Sequence, residues 1–68
     1  MNIFEENKNY TLQEVSDICD KHGLAIVDCL KDENMISIEE WNDGDGRDSI
    51  FEFKRIEKSI FKLSWQEK

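Results

Sequence analysis

Gly23 separates two stretches of the chain in which apolar residues recur with different periods. Before Gly23 they recur every three or four residues, as on one side of a helix, and after it they alternate, as along a strand. A chain of 68 residues has room for a single small domain, here spanning residues 1–68. The pattern therefore predicts an α+β fold, with one N-terminal helix packed on a four-stranded antiparallel meander sheet.

The predicted helix runs from about Leu12 to His22 and has recognisable signals at both ends. Thr11-Leu12-Gln13-Glu14 is a capping box, in which the Thr11 and Glu14 side chains each accept from the other residue's backbone amide. Tyr10 is placed to pack on Val15, and Gly23 supplies the left-handed residue that ends the helix. Residues 1–9 are expected to be disordered or to form a short N-terminal segment. The apolar stripe of the helix consists of Leu12, Val15, Ile18, Cys19 and His22.

Turn-forming residues divide positions 24–66 into four predicted strands. Asp32-Glu33-Asn34 predicts a three-residue hairpin loop, in which paired positions sum to 66. Asp43-Gly44-Asp45-Gly46 is the strongest turn signal in the chain. Glu57-Lys58-Ser59 lacks glycine, which favours a bulge or a five-residue loop there. The four strands are Leu24 to Lys31, Met35 to about Asn42, Ser49 to Ile56, and Ile60 to Trp65.

Alternation assigns the strand side chains to an inner face, under the helix, and an outer face. An even Gly-rich loop and an odd last loop give an inner face of Leu24, Ile26, Leu30, Ile36, Ile38, Phe51, Phe53, Phe61, Leu63 and Trp65. The outer face then holds Ala25, Val27, Cys29, Met35, Trp41, Ile50, Ile56 and Ile60. Ile3 and Phe4 can cover part of that face; uncovered, it is a protein-binding surface anchored by Trp41. Asp28 on the inner face favours an edge position for the first predicted strand.

Negative charge is concentrated in the first 53 residues, which hold fourteen acidic and four basic side chains. The last 15 residues hold five basic and two acidic ones, and the whole chain has a net charge of −7. Such a field repels nucleic acid and attracts basic grooves of proteins. Carboxylates at alternate strand positions repeat every ~6.6 Å and form a ladder of negative charge. The predicted partner-binding residues are Asp28, Glu39, Glu40, Trp41, Asp43, Asp45 and Asp48.

No motif in the chain supports catalysis, a metal site or a cofactor. In a calcium loop beginning at Asp43, positions five and twelve would be Arg47 and Lys54, which cannot serve as ligands. Cys19 lies near His22 but on the apolar stripe, where burial makes a thiol inert. Cys19 and Cys29 lack metal-ligand spacing and are too few for a disulfide framework. We therefore expect a non-enzymatic protein without metal or cofactor.

The expected function is that of a small acidic inhibitor, of the kind carried by phages or mobile elements, which occupies a basic nucleic-acid-binding groove of a protein by charge mimicry. Abundant Ile and Lys with a single Ala indicate an AT-rich coding sequence, compatible with that origin. The alternative is a structural or accessory protein that homo-oligomerises through the Trp41 face or the edge of the last strand.

Direct binding of nucleic acid by the basic C-terminal strand is disfavoured, because the aromatic residues of that strand are assigned to the inner face. No apolar run approaches the length of a membrane span, and the N-terminus lacks the pattern of a secretory signal. The sequence thus predicts a cytoplasmic monomer or homodimer with no membrane contact.

Overall fold

The computed structural model describes residues 3–29, 31–42, 44 and 46–67. These residues form one helix and five strands, and the strands form a single antiparallel sheet of order β1-β5-β4-β3-β2. The predicted α+β class, with one helix and an antiparallel sheet, is confirmed, but the predicted number of four strands is wrong. The elements are β1 (Asn9–Thr11), α1 (Leu12–His22), β2 (Ala25–Asp28), β3 (Met35–Trp41), β4 (Arg47–Glu57) and β5 (Ile60–Gln66).

The additional strand is β1, which immediately precedes the helix and pairs with residues 60–62 of β5. Three residues are too few to show alternation, so the sequence pattern did not reveal this strand. The helix is consequently the second element, and it connects the two edge strands β1 and β2. Strands β2 to β5 form the predicted meander, and β2 is an edge strand, as Asp28 indicated.

The capping signals of α1 are realised as predicted. The Thr11 hydroxyl accepts from the Glu14 amide at 3.1 Å, and the Glu14 carboxylate accepts from the Thr11 amide at 2.9 Å. Gly23 adopts φ +68°, the left-handed conformation that ends the helix. The buried stripe is narrower than predicted, because Val15 and Cys19 are buried whereas Leu12 and His22 are exposed.

The core lies on the inner face of the sheet and includes an N-terminal side chain, Phe4. The Phe4 ring packs edge-on, with centroids 5.6 Å from Tyr10, 5.0 Å from Phe51 and 4.7 Å from Phe53. The hypothesis that Ile3 and Phe4 cover the outer face is therefore wrong: they pack on the inner side. The buried core comprises Phe4, Tyr10, Val15, Cys19, Ile36, Ile38, Ile50, Phe51, Phe53 and Phe61.

The β2–β3 hairpin has a different register from the predicted one. Ile26 pairs with Ile38 and Asp28 with Ile36, so paired positions sum to 64 rather than 66. The shift of two residues preserves the faces but lengthens the connection. Leu30, which was assigned to the inner face, lies outside the described residues.

The longer connection follows from a local turn at Asp32. The Asp32 carboxylate accepts from the Asn34 amide at 2.9 Å, and the Asp32 carbonyl accepts from the Met35 amide at 3.0 Å. The Asn34 carbonyl accepts from the Arg55 amide of β4 at 2.6 Å, which joins this turn to the neighbouring strand. The predicted three-residue hairpin loop is wrong, because these bonds hold residues 32–35 in a turn of their own and β2 already ends at Asp28.

A bulge at Ile50 corrects the orientation of β4. The connection between β3 and β4 contains residues 42–46, an odd number where an even one was predicted. Ile50 is an extra residue between the partners of Ile38 and Glu39, which restores Phe51 to the inner face. The bulge also turns the Ile50 side chain toward the inner face, where it is 8% exposed. The prediction that Ile50 lies on the outer face is therefore wrong.

Two further irregularities shape β5. The register skips Ile56 and leaves Lys58 and Ser59 as the turn, which confirms the predicted bulge near the last loop. A second shift skips Ser64 and places Trp65 opposite Glu52. Trp65 is therefore 45% exposed on the outer face, and its assignment to the inner face is wrong.

Candidate functional site

The far end of the β3–β4 hairpin protrudes beyond the strands on either side of it. The last residue pair between β2 and β3 is Ala25 with Glu39, and β5 reaches only as far as Phe51 of β4. Beyond those points β3 and β4 continue as a two-stranded ribbon. We call residues 39–42 and 47–48 the hairpin end. Residues 40–42, 47 and 48 are exposed because no strand flanks them, whereas Glu39 still pairs with β2.

One side of the hairpin end carries two opposed carboxylates. Glu40 and Asp48 are direct cross-strand partners, and both side chains are exposed. Like charges in this position destabilise a sheet. Asn42 donates to the Asp48 carboxylate at 3.2 Å, but among the described residues neither carboxylate forms an ion pair. The free protein therefore holds an uncompensated pair of negative charges.

The other side of the hairpin end is built around Trp41, which is 65% exposed. The Arg47 guanidinium lies 5.0 Å from the centre of the Trp41 ring, in cation–π geometry. Arg47 Nε also lies 3.1 Å from a carboxylate oxygen of Glu39. The charge of Glu39 is thus compensated within the protein, unlike that of its neighbour Glu40.

The structure brings together four of the seven predicted partner-binding residues: Glu39, Glu40, Trp41 and Asp48. Asp28 is exposed but lies opposite Ile36, four residues along β3 from Glu40 and so ~13 Å away along the strand. Asp43 and Asp45 lie outside the described residues. Of the described carboxylates, Glu40 and Asp48 lie on one side of the hairpin end and Glu39 lies on the other.

Sequence reasoning missed two contributors, Asn42 and Arg47. Both act through cross-strand geometry: Arg47 lies opposite Trp41, and Asn42 bonds Asp48 across the connection. A connection with an odd number of residues between Trp41 and Arg47 would have indicated their pairing, but the apolar pattern favoured an even number.

The rest of the outer face is open among the described residues, since α1 and the segment holding Phe4 pack on the inner side. Its centre is polar, with the Ser37 and Ser49 hydroxyls 2.6 Å apart. Trp65 and Ile56 remain about half exposed, at 45% and 47%. The outer face therefore combines isolated apolar side chains with a hydrogen-bonded centre.

Two other side chains with reactive groups, Cys19 and His22, lie on α1. Cys19 is 1% exposed, and burial, assisted by the charge of Asp20, raises the pKa of its thiol to about 11. His22 is exposed at the end of α1. The described part of the chain contains no group of three or more His, Cys, Asp or Glu side chains able to hold a metal ion. None of its helices is long and apolar enough to cross a membrane.

The comparisons with known proteins give no relative for this chain. No protein-family model matches it, and no curated protein or solved structure shows significant similarity to it.

Proposed function

We propose that the protein is a small, acidic, non-enzymatic binding protein whose hairpin end docks into a basic groove of a protein partner. The observation that carries this proposal is the opposed pair Glu40 and Asp48 on a protruding ribbon, without a compensating cation among the described residues. Such a groove would be one that ordinarily binds nucleic acid, so the protein acts as an inhibitor by charge mimicry.

Binding of a cation between the two carboxylates would relieve their mutual repulsion. A Lys or Arg of the partner would contact both side chains at once, because directly opposed residues have Cβ atoms only ~5 Å apart. The net charge of −7 adds long-range attraction and raises the rate of encounter. The unfavourable pair in the free protein is thereby converted into a favourable interaction in the complex.

Trp41 provides an apolar anchor on the opposite side of the same ribbon. Exposed Trp side chains frequently dominate the energy of protein interfaces, and Arg is also enriched there. Arg47 stacks on the Trp41 ring and contacts Glu39, which limits the rotamers available to all three side chains. A groove that encloses the ribbon would therefore contact carboxylates on one wall and an ordered aromatic ring on the other.

The test compares two double variants with the same change of charge. Glu40→Gln with Asp48→Asn removes the opposed pair, whereas Glu33→Gln with Asp20→Asn removes two exposed carboxylates elsewhere. Proteins of the source organism are captured on each immobilised variant at low and high salt, and competed with DNA. We expect a captured protein to be released by salt and by DNA. The first variant should lose at least about tenfold in affinity, and the control much less.

Binding that is unchanged between low and high salt would contradict charge mimicry. Equal losses in the two double variants would also count against the hairpin end, since net charge alone would then explain the binding.

The second candidate function is homo-oligomerisation through the outer face, which the exposed side chains of Trp41, Ile56 and Trp65 favour. Because β1 pairs with residues 60–62, a route through the edge of the last strand would use residues 63–66. An interface of this kind would be apolar and tolerant of salt. Sedimentation that shows a monomer at high concentration and high salt would exclude it.

A further inference from the structure

The second half of β5 has one side that no strand covers among the described residues. Along one of its two edges β5 pairs with β4 as far as Gln66, which lies opposite Phe51. On its other side it pairs with β1 over residues 60–62 alone. Residues 63–66 therefore form an open strand edge at the border of the sheet, beyond the end of β1.

The chain's own N-terminal segment turns away from this edge. Asn7 has φ +62°, a left-handed conformation that is uncommon outside glycine, and it follows Glu6 in a turn. The turn directs Phe4 into the core instead of extending β1 along β5. A cleft of about 160 Å³ remains between the turn and β5, lined by Glu6, Asn7, Leu63, Ser64, Trp65 and Gln66.

The backbone at this edge is oriented for hydrogen bonding with a further strand. The Glu67 amide donates to the Ile50 carbonyl on β4 at 2.9 Å. Because successive backbone groups point to opposite sides of a strand, the N–H and C=O of Gln66 point to the open side. The Gln66 side-chain oxygen is buried and has no donor among the described residues, so reorienting it toward the cleft would cost no hydrogen bond.

We infer that residues 63–66 of β5 bind an extended, basic segment of a partner protein by strand addition. The backbone groups of an edge strand are matched by those of another extended chain, which defines the occupant as a polypeptide. The exposed Trp65 offers a surface for an alternate side chain of that segment.

The charge of the surroundings selects a basic occupant. Glu6 is the charged residue among those that line the cleft, Glu52 lies opposite Trp65, and Glu67 follows the strand, whereas Lys62, opposite Lys54, lies in the part of β5 that β1 covers. The net charge of −7 adds to the field of these carboxylates, so Lys or Arg side chains are attracted to this edge.

The experiment selects binders from a displayed library of random linear peptides against the full chain. We expect enriched peptides to alternate Lys or Arg with apolar residues, and a synthetic enriched peptide to slow hydrogen exchange at residues 63–66. Gln66→Pro removes the outward N–H, which an edge strand tolerates, and should weaken this peptide by about tenfold. Gln66→Ala retains that N–H and should bind almost as wild type does, as should the Asp20→Asn, Glu33→Gln variant.

Several results would overturn the inference. These are the absence of any enriched peptide, protection on β2 or the hairpin end instead of residues 63–66, and equal weakening by Gln66→Pro and Gln66→Ala. Dimerisation of the protein alone with protection of the same residues would assign the edge to a second copy. Hydrogen exchange at residues 63–66 of the wild-type chain, with and without the peptide, tests the inference even where Gln66→Pro does not fold.

Discussion

Aromatic side chains are buried on the inner face of the sheet and exposed on its outer face. On the inner face all four Phe residues and Tyr10 are at most 3% exposed, and several of their rings meet edge to face. The two Trp residues, Trp41 and Trp65, lie on the outer face and are 65% and 45% exposed. Burial on one face accounts for stability, while the largest aromatic side chains remain available for contact with other molecules.

Polar side chains divide in the same way. No polar or charged residue among those described is buried in the core. The outer face instead contains the hydroxyl pair Ser37 and Ser49 and the ion pair of Arg47 with Glu39. The contrast indicates a small domain that is stabilised from one side, which leaves the other side and the protruding hairpin exposed for the proposed binding.

The largest expected difference is between truncations of Phe4 and Trp41. Phe4→Ala removes a ring that contacts Tyr10, Phe51 and Phe53, and should lower the free energy of unfolding by about 3 to 5 kcal/mol. Trp41→Ala removes an exposed ring and should change the free energy of unfolding by less than about 1 kcal/mol. Urea denaturation followed by circular dichroism measures both.

A loss that large can unfold a domain of this size outright, so Phe4→Leu provides a milder test with the same sign. Similar effects of the Phe4 and Trp41 truncations would contradict the division between the faces.

The two thiols provide the next contrast. Because the Cys19 pKa is raised to about 11, its thiolate fraction at pH 8 falls by roughly two orders of magnitude relative to an ordinary thiol. Cys29 is only partly buried, at the outer side of the β2–β3 connection. We expect a disulfide reagent to modify Cys29 first and Cys19 at a rate set by unfolding, as peptide mass mapping would show.

The same pKa shift predicts the alkaline behaviour of the protein. The unfolded chain releases the Cys19 proton near pH 8.5, whereas the folded protein keeps it until about pH 11. The stabilisation is therefore complete below pH 8.5 and is lost as the pH rises through 11. Cys19→Ala should reduce this alkaline loss. Rapid modification of both thiols in the folded protein would show that Cys19 is not in the core.

Local signals predicted the parts of the fold that depend on neighbouring residues. The capping box at Thr11, the glycine at position 23 and the bulge near the last turn were all read correctly from the sequence. The bulges at Ile50 and Ser64 were not, because an inserted residue changes the face of a strand without altering composition. Long-range packing, rather than local pattern, also decided the position of Phe4.

The candidate site was predicted as a set of residues but not as a geometry. Charge and turn residues identified Glu40, Trp41 and Asp48, all of which lie at the hairpin end. Their pairing depends on the odd connection and the bulge together, which the alternation of apolar residues could not indicate. Asp28 lies opposite Ile36, away from the hairpin end, because a strand pattern alone does not show which residues lie at the same end of a sheet.

The N-terminal cap of α1 should be less sensitive to substitution than the core itself. Thr11→Ala removes the acceptor of the Glu14 amide and should cost about 1 kcal/mol. The Thr11 backbone amide, followed by the Thr11 hydroxyl, lowers the pKa of Glu14, so the ionised form is favoured in the folded protein. The stabilisation from Glu14 is present above the ordinary glutamate pKa of about 4.3 and lost as pH falls through the lowered value.

Thermal denaturation of Glu14→Ala and wild type at pH 7 and at about pH 2.5 tests this contribution, because Thr11→Ala retains the backbone amide that Glu14 accepts from, and the difference between Glu14→Ala and wild type should shrink in acid. A difference that is the same at both pH values would show that the Glu14 carboxylate plays no part in the cap.

The smallest effects should have opposite signs at two adjacent residues. Glu40→Gln removes the repulsion with Asp48 and should raise the free energy of unfolding by about 0.2 to 1 kcal/mol. Glu39→Gln breaks the contact with Arg47, a partly exposed ion pair, and should lower it by a similar amount. Urea denaturation at low salt measures both changes, and high salt should reduce both because exposed charges are screened. Destabilisation by both substitutions would mean that the Glu40 carboxylate is compensated in the free protein, and the hairpin end would then have no unfavourable charge for a basic partner to relieve.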